Sequence, residues 1–146
     1  MTADLSVGID IGGTNILAGV VSSEGEVLAK ARRATDPSDP DQIEAAVAEA
    51  VAELRDAYPH ITTVGAAAAG FVGPDRSTML FAPNIAWRNH PLGVRLSERI
   101  GLPVVIENDA NAAAWAEYRF GNGRGTTEMV MLTLGTGLGG AVISGG

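Results

Sequence analysis

The strongest constraint on the fold of this chain is a pattern that it uses twice. Val7-Gly8-Ile9-Asp10-Ile11-Gly12-Gly13-Thr14-Asn15-Ile16-Leu17-Ala18-Gly19-Val20 and Val130-Met131-Leu132-Thr133-Leu134-Gly135-Thr136-Gly137-Leu138-Gly139-Gly140-Ala141-Val142-Ile143 align position for position. Each reads as an apolar strand, a Gly- and Thr-rich turn and a second apolar strand, so each is a β-hairpin. A lone hairpin is marginal in water, and each copy therefore calls for a sheet of its own. The first copy is followed by enough strands and helices to build one, whereas the second is followed almost at once by Gly145-Gly146. The expected organisation is one whole unit over residues 1–109, then a linking helix and the opening hairpin of a second, similar unit over residues 110–146. On this reading the chain is the N-terminal part of something longer.

Between the two copies the pattern changes from strand to helix and back. Glu26 to Ala34 reads as a third, more exposed strand, giving three antiparallel strands in a row. Asp36-Pro37-Ser38-Asp39-Pro40 is loop, after which Asp41 and Glu44 have capping-box spacing. Ile43, Val47, Val51, Leu54 and Tyr58 then form an apolar stripe at helical spacing that predicts a core-facing helix ended by Pro59. Ile61 to Ala69 predicts a strand whose small residues let another backbone or a ligand approach. Phe71 to Asp75 reads as loop, Thr78 to Phe81 as a short strand and Pro83 to Trp87 as irregular chain. Leu92, Leu96 and Ile100 mark a short helix closed by Gly101. Val104-Val105-Ile106 predicts a strand covered on both faces, and Ala112 to Phe120 a helix. The fold class is α/β, with a mixed sheet of three antiparallel strands continued by parallel crossovers.

The chemistry-bearing residues fall at strand ends. Glu107-Asn108-Asp109 follows the Val104 strand, where α/β sheets place their ligands, and Asp109 is the candidate catalytic base. Asp109 or Asn111 capping the next helix is the plain alternative. A cap employs one side chain of the triplet, and a bound polyol would satisfy the others. Asp10 shares a strand with Val7, Ile9 and Ile11 but points to the opposite face. No Lys or Arg lies in that hairpin, so a hydrated Mg²⁺ is the expected partner of this carboxylate. Gly12 and Gly13 would present bare N–H groups to an anion. With the second Gly-rich turn they suggest a clamp on two sides of a polyphosphate, the plain alternative being turns that need glycine only for positive φ.

Composition removes other classes. Seventeen acidic residues against ten basic give a formal charge of -7, and Lys30 is the sole lysine. Nucleic acid and anionic membrane surfaces are therefore disfavoured partners. There is no cysteine, which excludes disulfides and thiolate zinc sites in this stretch. His60 and His90 read as surface or loop residues. No basic, apolar leader precedes Asp10, and the uncharged run from Met129 to Gly146 holds six glycines, which suits a hairpin better than a membrane helix. A soluble, cytoplasmic protein is expected.

Asp10-Ile11-Gly12-Gly13-Thr14-Asn15, Ala82-Pro83-Asn84-Ile85-Ala86-Trp87, Glu107-Asn108-Asp109-Ala110-Asn111-Ala112-Ala113-Ala114 and Leu134-Gly135-Thr136-Gly137-Leu138-Gly139-Gly140 occur in this order. Together they resemble the motifs of the ROK family of sugar kinases, and within it those of the glucokinases. The resemblance implies an actin-like ATPase (ribonuclease H-like) fold of two similar lobes around a cleft. It implies transfer of a phosphoryl group from ATP to the C6 hydroxyl of a hexose, glucose foremost, in glycolysis. Asp109 would be the base, Asn84 and Asn108 would hold other hydroxyls together with Asp109, and Gly70 would border the sugar. Asp10 would stand near Mg²⁺, through water, and Gly12, Gly13, Thr14, Gly135, Thr136 and Gly137 would line the phosphates. The family's second lobe adds sugar ligands, a structural zinc site and much of the adenosine pocket, none of which this stretch contains. A homo-oligomer, dimer or tetramer, is implied at full length. Alternatives within the resemblance are a kinase for mannose, fructose or N-acetylhexosamine, and a sugar-responsive transcriptional regulator. The latter sits poorly with the acidic charge and with only nine residues ahead of Asp10. An actin- or chaperone-like ATPase without an acceptor gives no reason for Asn84, Asn108 and Asp109 to coexist.

Overall fold

The computed structural model describes residues 5–135 and 137–146. Five strands form the main sheet: β1 (Leu5–Ile11), β2 (Asn15–Val21), β3 (Val27–Ala34), β4 (Ile61–Ala68) and β8 (Val104–Asn108), in the order β3-β2-β1-β4-β8. The β1/β2 and β2/β3 pairs are antiparallel, and β1/β4 and β4/β8 are parallel. This is the expected mixed sheet, with β1, and hence Asp10, in its centre.

Helices α1 (Pro40–Ala57) and α2 (Leu92–Ile100) make the parallel crossovers and pack together on one face of the sheet. Period-2 alternation puts Val7, Ile9, Ile11, Ile16, Ala18, Val20, Val64, Ala66 and Ile106 on that covered face, all buried. The α1 stripe meets them with Ile43, Val47, Val51 and Leu54 buried, while Tyr58 is the C-cap and only partly buried. The capping box expected of Asp41 and Glu44 does not form. Asp39 is the N-cap, accepting from Gln42 N–H at 3.1 Å, because Pro40 takes the first helical position, where a missing N–H costs nothing. Glu44 lies one turn further in and is fully buried.

The opposite face of the sheet is bare. Gly8 stands in register with Gly19 on one side and Gly65 on the other, so the middle of this face has no side chains, and Leu17 and Val105 are each about 42% exposed. The expectation that the Val104 strand is covered on both faces is therefore corrected: β8 is an edge strand, and only Ile106 is fully buried.

Between β4 and α2 the chain forms a small antiparallel sheet, β5 (Phe71–Val72), β6 (Met79–Phe81) and β7 (Arg88–His90). The predicted loop at Phe71 is thus in part a strand, and β7 is an element that its short, polar sequence did not announce. The last elements are α3 (Asp109–Phe120), β9 (Glu128–Leu134) and β10 (Leu138–Ser144), the last two forming a separate antiparallel hairpin that packs on α3. Its outer face, with Val130, Leu132, Leu134, Leu138 and Val142, is 69–86% exposed. No helix among the described residues is long and apolar enough to cross a membrane.

Candidate active site

Strand β8 runs into α3 without a loop, so Glu107, Asn108 and Asp109 leave the sheet on successive sides of the chain. Glu107 turns to the bare face, where Oε1 accepts from Asn108 N–H at 2.9 Å and from Asn111 Nδ2 at 3.2 Å, and Oε2 pairs with Arg76 Nη2 at 3.2 Å. Asn108 is the helix cap, its Oδ1 accepting from Asn111 N–H at 3.1 Å while Nδ2 donates to the Gly70 carbonyl at 3.0 Å. The sequence argument that two of the three side chains need an external partner is therefore corrected, since Glu107 and Asn108 are engaged within the chain. It also removes the capping alternative for Asp109 and Asn111. Asp109 is the first helical residue and is exposed. Its Oδ1 accepts from Ala110 N–H at 3.0 Å, and its second oxygen has no hydrogen bond among the described residues.

Asp109 opens onto a cavity of about 610 Å³. Gly70, Asn84, Asn108, Gly135 and Gly137 also line it, so the chain folds its separate motifs to one place. Asn84 is exposed, and its side-chain amide makes no hydrogen bond among the described residues. Gly70 has φ +154°, and a β-carbon there would collide with the Phe81 carbonyl. Glycine is required at this point by backbone packing as well as by its place in the cavity wall.

The first Gly-rich turn lies beside this cavity. A β-carbon on Gly13 would come 3.5 Å from the Asn84 carbonyl oxygen, so the turn and the Asn84 loop are neighbours. Neither Gly12 nor Gly13 has positive φ, which removes the simplest explanation of the pair. Gly12 N–H donates to the Asn15 carbonyl at 2.9 Å, and a β-carbon on Gly12 would press that same oxygen at 3.0 Å, which favours glycine there. That N–H is therefore committed to the turn, and the N–H groups of Gly13 and Thr14 are the ones without a backbone partner among the described residues. In the second turn Gly135 N–H donates to the Gly137 carbonyl at 3.0 Å. Thr136, also expected at the phosphates, lies outside the described residues.

Asp10 does not line the Asp109 cavity. It sits at the end of β1 on the bare face, in a groove shared with Gly8, Gly65 and Glu107. Its carboxyl is held above its ordinary pKa, first by partial burial and then by the negative charge of Asp109. No cation among the described residues pairs with it. A carboxylate beside a like charge and without a direct ion-pair partner among the described residues, in a groove that Lys30 and Arg76 also line, fits a metal held mainly through water and phosphate oxygens, and no group of three protein ligands is found among the described residues.

Sequence reasoning missed one ionic cluster. Glu44 Oε1 lies 2.7 Å from His90 Nε2 and 2.8 Å from Arg95 Nε, and Oε2 accepts from Arg99 Nε at 3.1 Å; Arg95 also pairs with Asp41. His90 stacks on the fully buried Trp87, with ring centroids 6.0 Å apart. His90 is thus a tether between elements, correcting its reading as a surface residue, while His60 is exposed as expected. Burial pushes the Glu44 carboxyl up, but the hydrogen bonds and charges of Arg95 and His90 outweigh that and hold it below the usual range.

The sequence model described as the ROK family matches residues 6–146. Among curated relatives, the chain is 52% identical over 141 residues to a glucokinase of Streptomyces coelicolor, covering 97% of this chain and 44% of that protein. Among solved structures, it superposes on a ROK family glucokinase of Streptomyces griseus in complex with glucose and AMPPNP. That match has a TM-score of 0.89 and 52% identity, over 97% of this chain and 45% of that one. An inorganic polyphosphate/ATP-glucomannokinase of Arthrobacter sp. strain KM follows at a TM-score of 0.86 and 37% identity, over 97% and 59%. The chain spans less than half the length of the curated relatives it matches.

Proposed function

The chain belongs to the ROK family and has its actin-like ATPase fold, and from that premise we propose that it is the N-terminal part of an ATP-dependent hexokinase acting on glucose. The supporting observation is Asp109. Among the described residues it alone of the strand-end triplet keeps a carboxylate oxygen without an internal partner, on a cavity lined also by Asn84, whose amide has no hydrogen bond among them. A sugar seated there, against Asn84, Asn108 and Gly70, brings its C6 hydroxyl to Asp109. The hydroxyl oxygen attacks the γ-phosphorus in line, its proton passes to Asp109, and the bond to the departing ADP oxygen breaks. Phosphoryl transfer asks the protein chiefly for positioning and charge stabilisation. The N–H groups of Gly13 and Thr14, and the turn at Gly135 to Gly137, are the groups assigned to the phosphates. Magnesium bound with the nucleotide would supply neutralising charge, with Asp10 as the carboxylate that holds it through water. On the same reading residues 1–109 form the first lobe, residues 110–146 begin the second, and the enzyme is cytoplasmic and homo-oligomeric.

The test is the full-length protein that carries this sequence, assayed with a panel of hexoses and with ATP or polyphosphate as donor. Glucose-dependent ADP formation is expected. Asp109→Asn should lower kcat by about 10²–10⁴, the range for a positioned acid–base group, while the sugar Kd changes little because the amide still offers an oxygen. A mutant that keeps most of its kcat would remove Asp109 from the mechanism.

A further inference from the structure

The loop that carries Asn84 is short and irregular, yet little of its own backbone bonding fixes it. Ala82 N–H reaches the Trp87 carbonyl at 3.3 Å, Trp87 N–H the Ile85 carbonyl at 2.8 Å and Ala86 N–H the Pro37 carbonyl at 3.0 Å. Pro83 has no N–H to give. Three carbonyls of this loop instead converge on one side chain. Arg88 Nη1 donates to the Trp87 carbonyl at 2.6 Å and to the Ala82 carbonyl at 2.9 Å, with the Ile85 carbonyl at 3.3 Å. The guanidinium also lies 4.1 Å from the centroid of the Phe81 ring, its cross-strand partner in β6. Arg88 itself does not line the Asp109 cavity.

The backbone is arranged to allow this. Asn89, between Arg88 and His90, has φ 47°, a left-handed conformation that Asn tolerates better than most residues. It breaks the alternation of β7, so that Arg88 turns back over the loop while His90 reaches Glu44 on α1. The start of the loop is held from the other side, where Gly70 packs on Phe81 and Ala82 and its carbonyl accepts from Asn108.

We propose that Arg88 is a positioning residue for the sugar: by gathering the carbonyls of Ala82, Ile85 and Trp87 it fixes the loop that presents Asn84 to the Asp109 cavity. The proposal rests on the kinase reading for its consequence in catalysis, but not for its structural content. A positively charged donor held by several carbonyls is worth more than a neutral hydrogen bond. Without it the loop samples other shapes, and sugar binding must restore the ordered one.

The experiment compares wild type, Arg88→Met and Arg88→Lys in the full-length protein. It measures the KM for glucose and for ATP, kcat, melting temperature and amide hydrogen exchange across residues 82–87. Arg88→Met should raise the glucose KM roughly tenfold or more, the scale of one charge-assisted hydrogen bond. kcat and the ATP KM should hardly move, exchange at 84–87 should quicken, and saturating glucose should restore protection. Arg88→Lys, which keeps the charge but not the fork, should fall between. An Arg88→Met enzyme with wild-type glucose KM and wild-type loop exchange would overturn the proposal. Equal loss of KM, kcat and melting temperature would mark a purely structural role and overturn it too. If Arg88→Met does not fold, Arg88→Lys decides by the same criteria. Wild type lacking sugar-dependent ATP turnover would sink the kinase reading alone, because loop exchange in the variants still reports whether Arg88 sets the loop.

Discussion

Asp10 is a carboxylate held at the expense of the fold. The pKa of Asp10 is raised in the folded chain, so the native state binds protons more tightly than the unfolded one, and the ionised group destabilises the fold at every pH above the raised value. That penalty fades as pH falls through the raised pKa and is gone below the unfolded one. Asp10→Asn should therefore stabilise the chain at neutral pH by roughly 0.5–1 kcal/mol, the scale of a solvent-screened charge pair, with no gain near pH 3. Melting temperatures of both proteins across pH 3–8 check this, and parallel curves would contradict it. Asp10 and Asp109 show what was legible in the sequence. A lone carboxylate in an apolar strand announced Asp10, because period 2 fixes the face of a side chain. The division of labour among Glu107, Asn108 and Asp109 was hidden. It depends on Arg76 and Gly70, whose nearness to that strand end is set by tertiary structure.

Among elements, α1 and α2 were readable from helical periodicity, as expected for segments whose stability comes from one buried face, and β1, β2 and β4 from apolar or small-residue runs bounded by turn residues. The tie between them was not, since Glu44 meets His90, Arg95 and Arg99 from 46 to 55 positions away. Read along the sequence, Glu44 was a helix-start signal, and the competing cap at Asp39 with Pro40 released it for the interior. A buried carboxylate ringed by cations costs most when one partner changes. Glu44→Gln, which leaves Arg95 and Arg99 partly exposed and still paired with Asp41, should destabilise the chain by about 1.5–3 kcal/mol, the scale of a hydrogen bond to a charged group, read as a lower urea midpoint at unchanged slope. Because the Glu44 carboxyl is held below its usual range, its contribution is present above the unfolded pKa and is lost as pH falls through the folded one. The wild-type advantage over Glu44→Gln should therefore shrink in acid.

For the whole molecule, the repeated hairpin was the most informative sequence feature, and the structure bears out its pairing. Met131 and Ile143 lie on the α3 side and are partly covered, whereas Val130, Leu132, Leu134, Leu138 and Val142 face outward. An apolar stripe of this kind drives self-association. The 146-residue chain alone should associate at micromolar concentration, and Leu132→Glu with Val142→Lys should raise the concentration needed by roughly tenfold or more, given about 1.5–3 kcal/mol per buried aliphatic side chain. Sedimentation velocity separates the outcomes, and a monodisperse wild-type monomer would refute the expectation. The hairpin meets the rest of the chain chiefly through α3, and a β-carbon at Gly139 would lie 3.4 Å from the Ala110 methyl, one residue after Asp109. The Gly-rich hairpin is thus seated on the same first turn of α3 that carries the carboxylate, so bulk added at Gly139 would be felt at Asp109 through Ala110, and the placement that the chemistry can least afford to lose depends on the absence of a side chain one strand away.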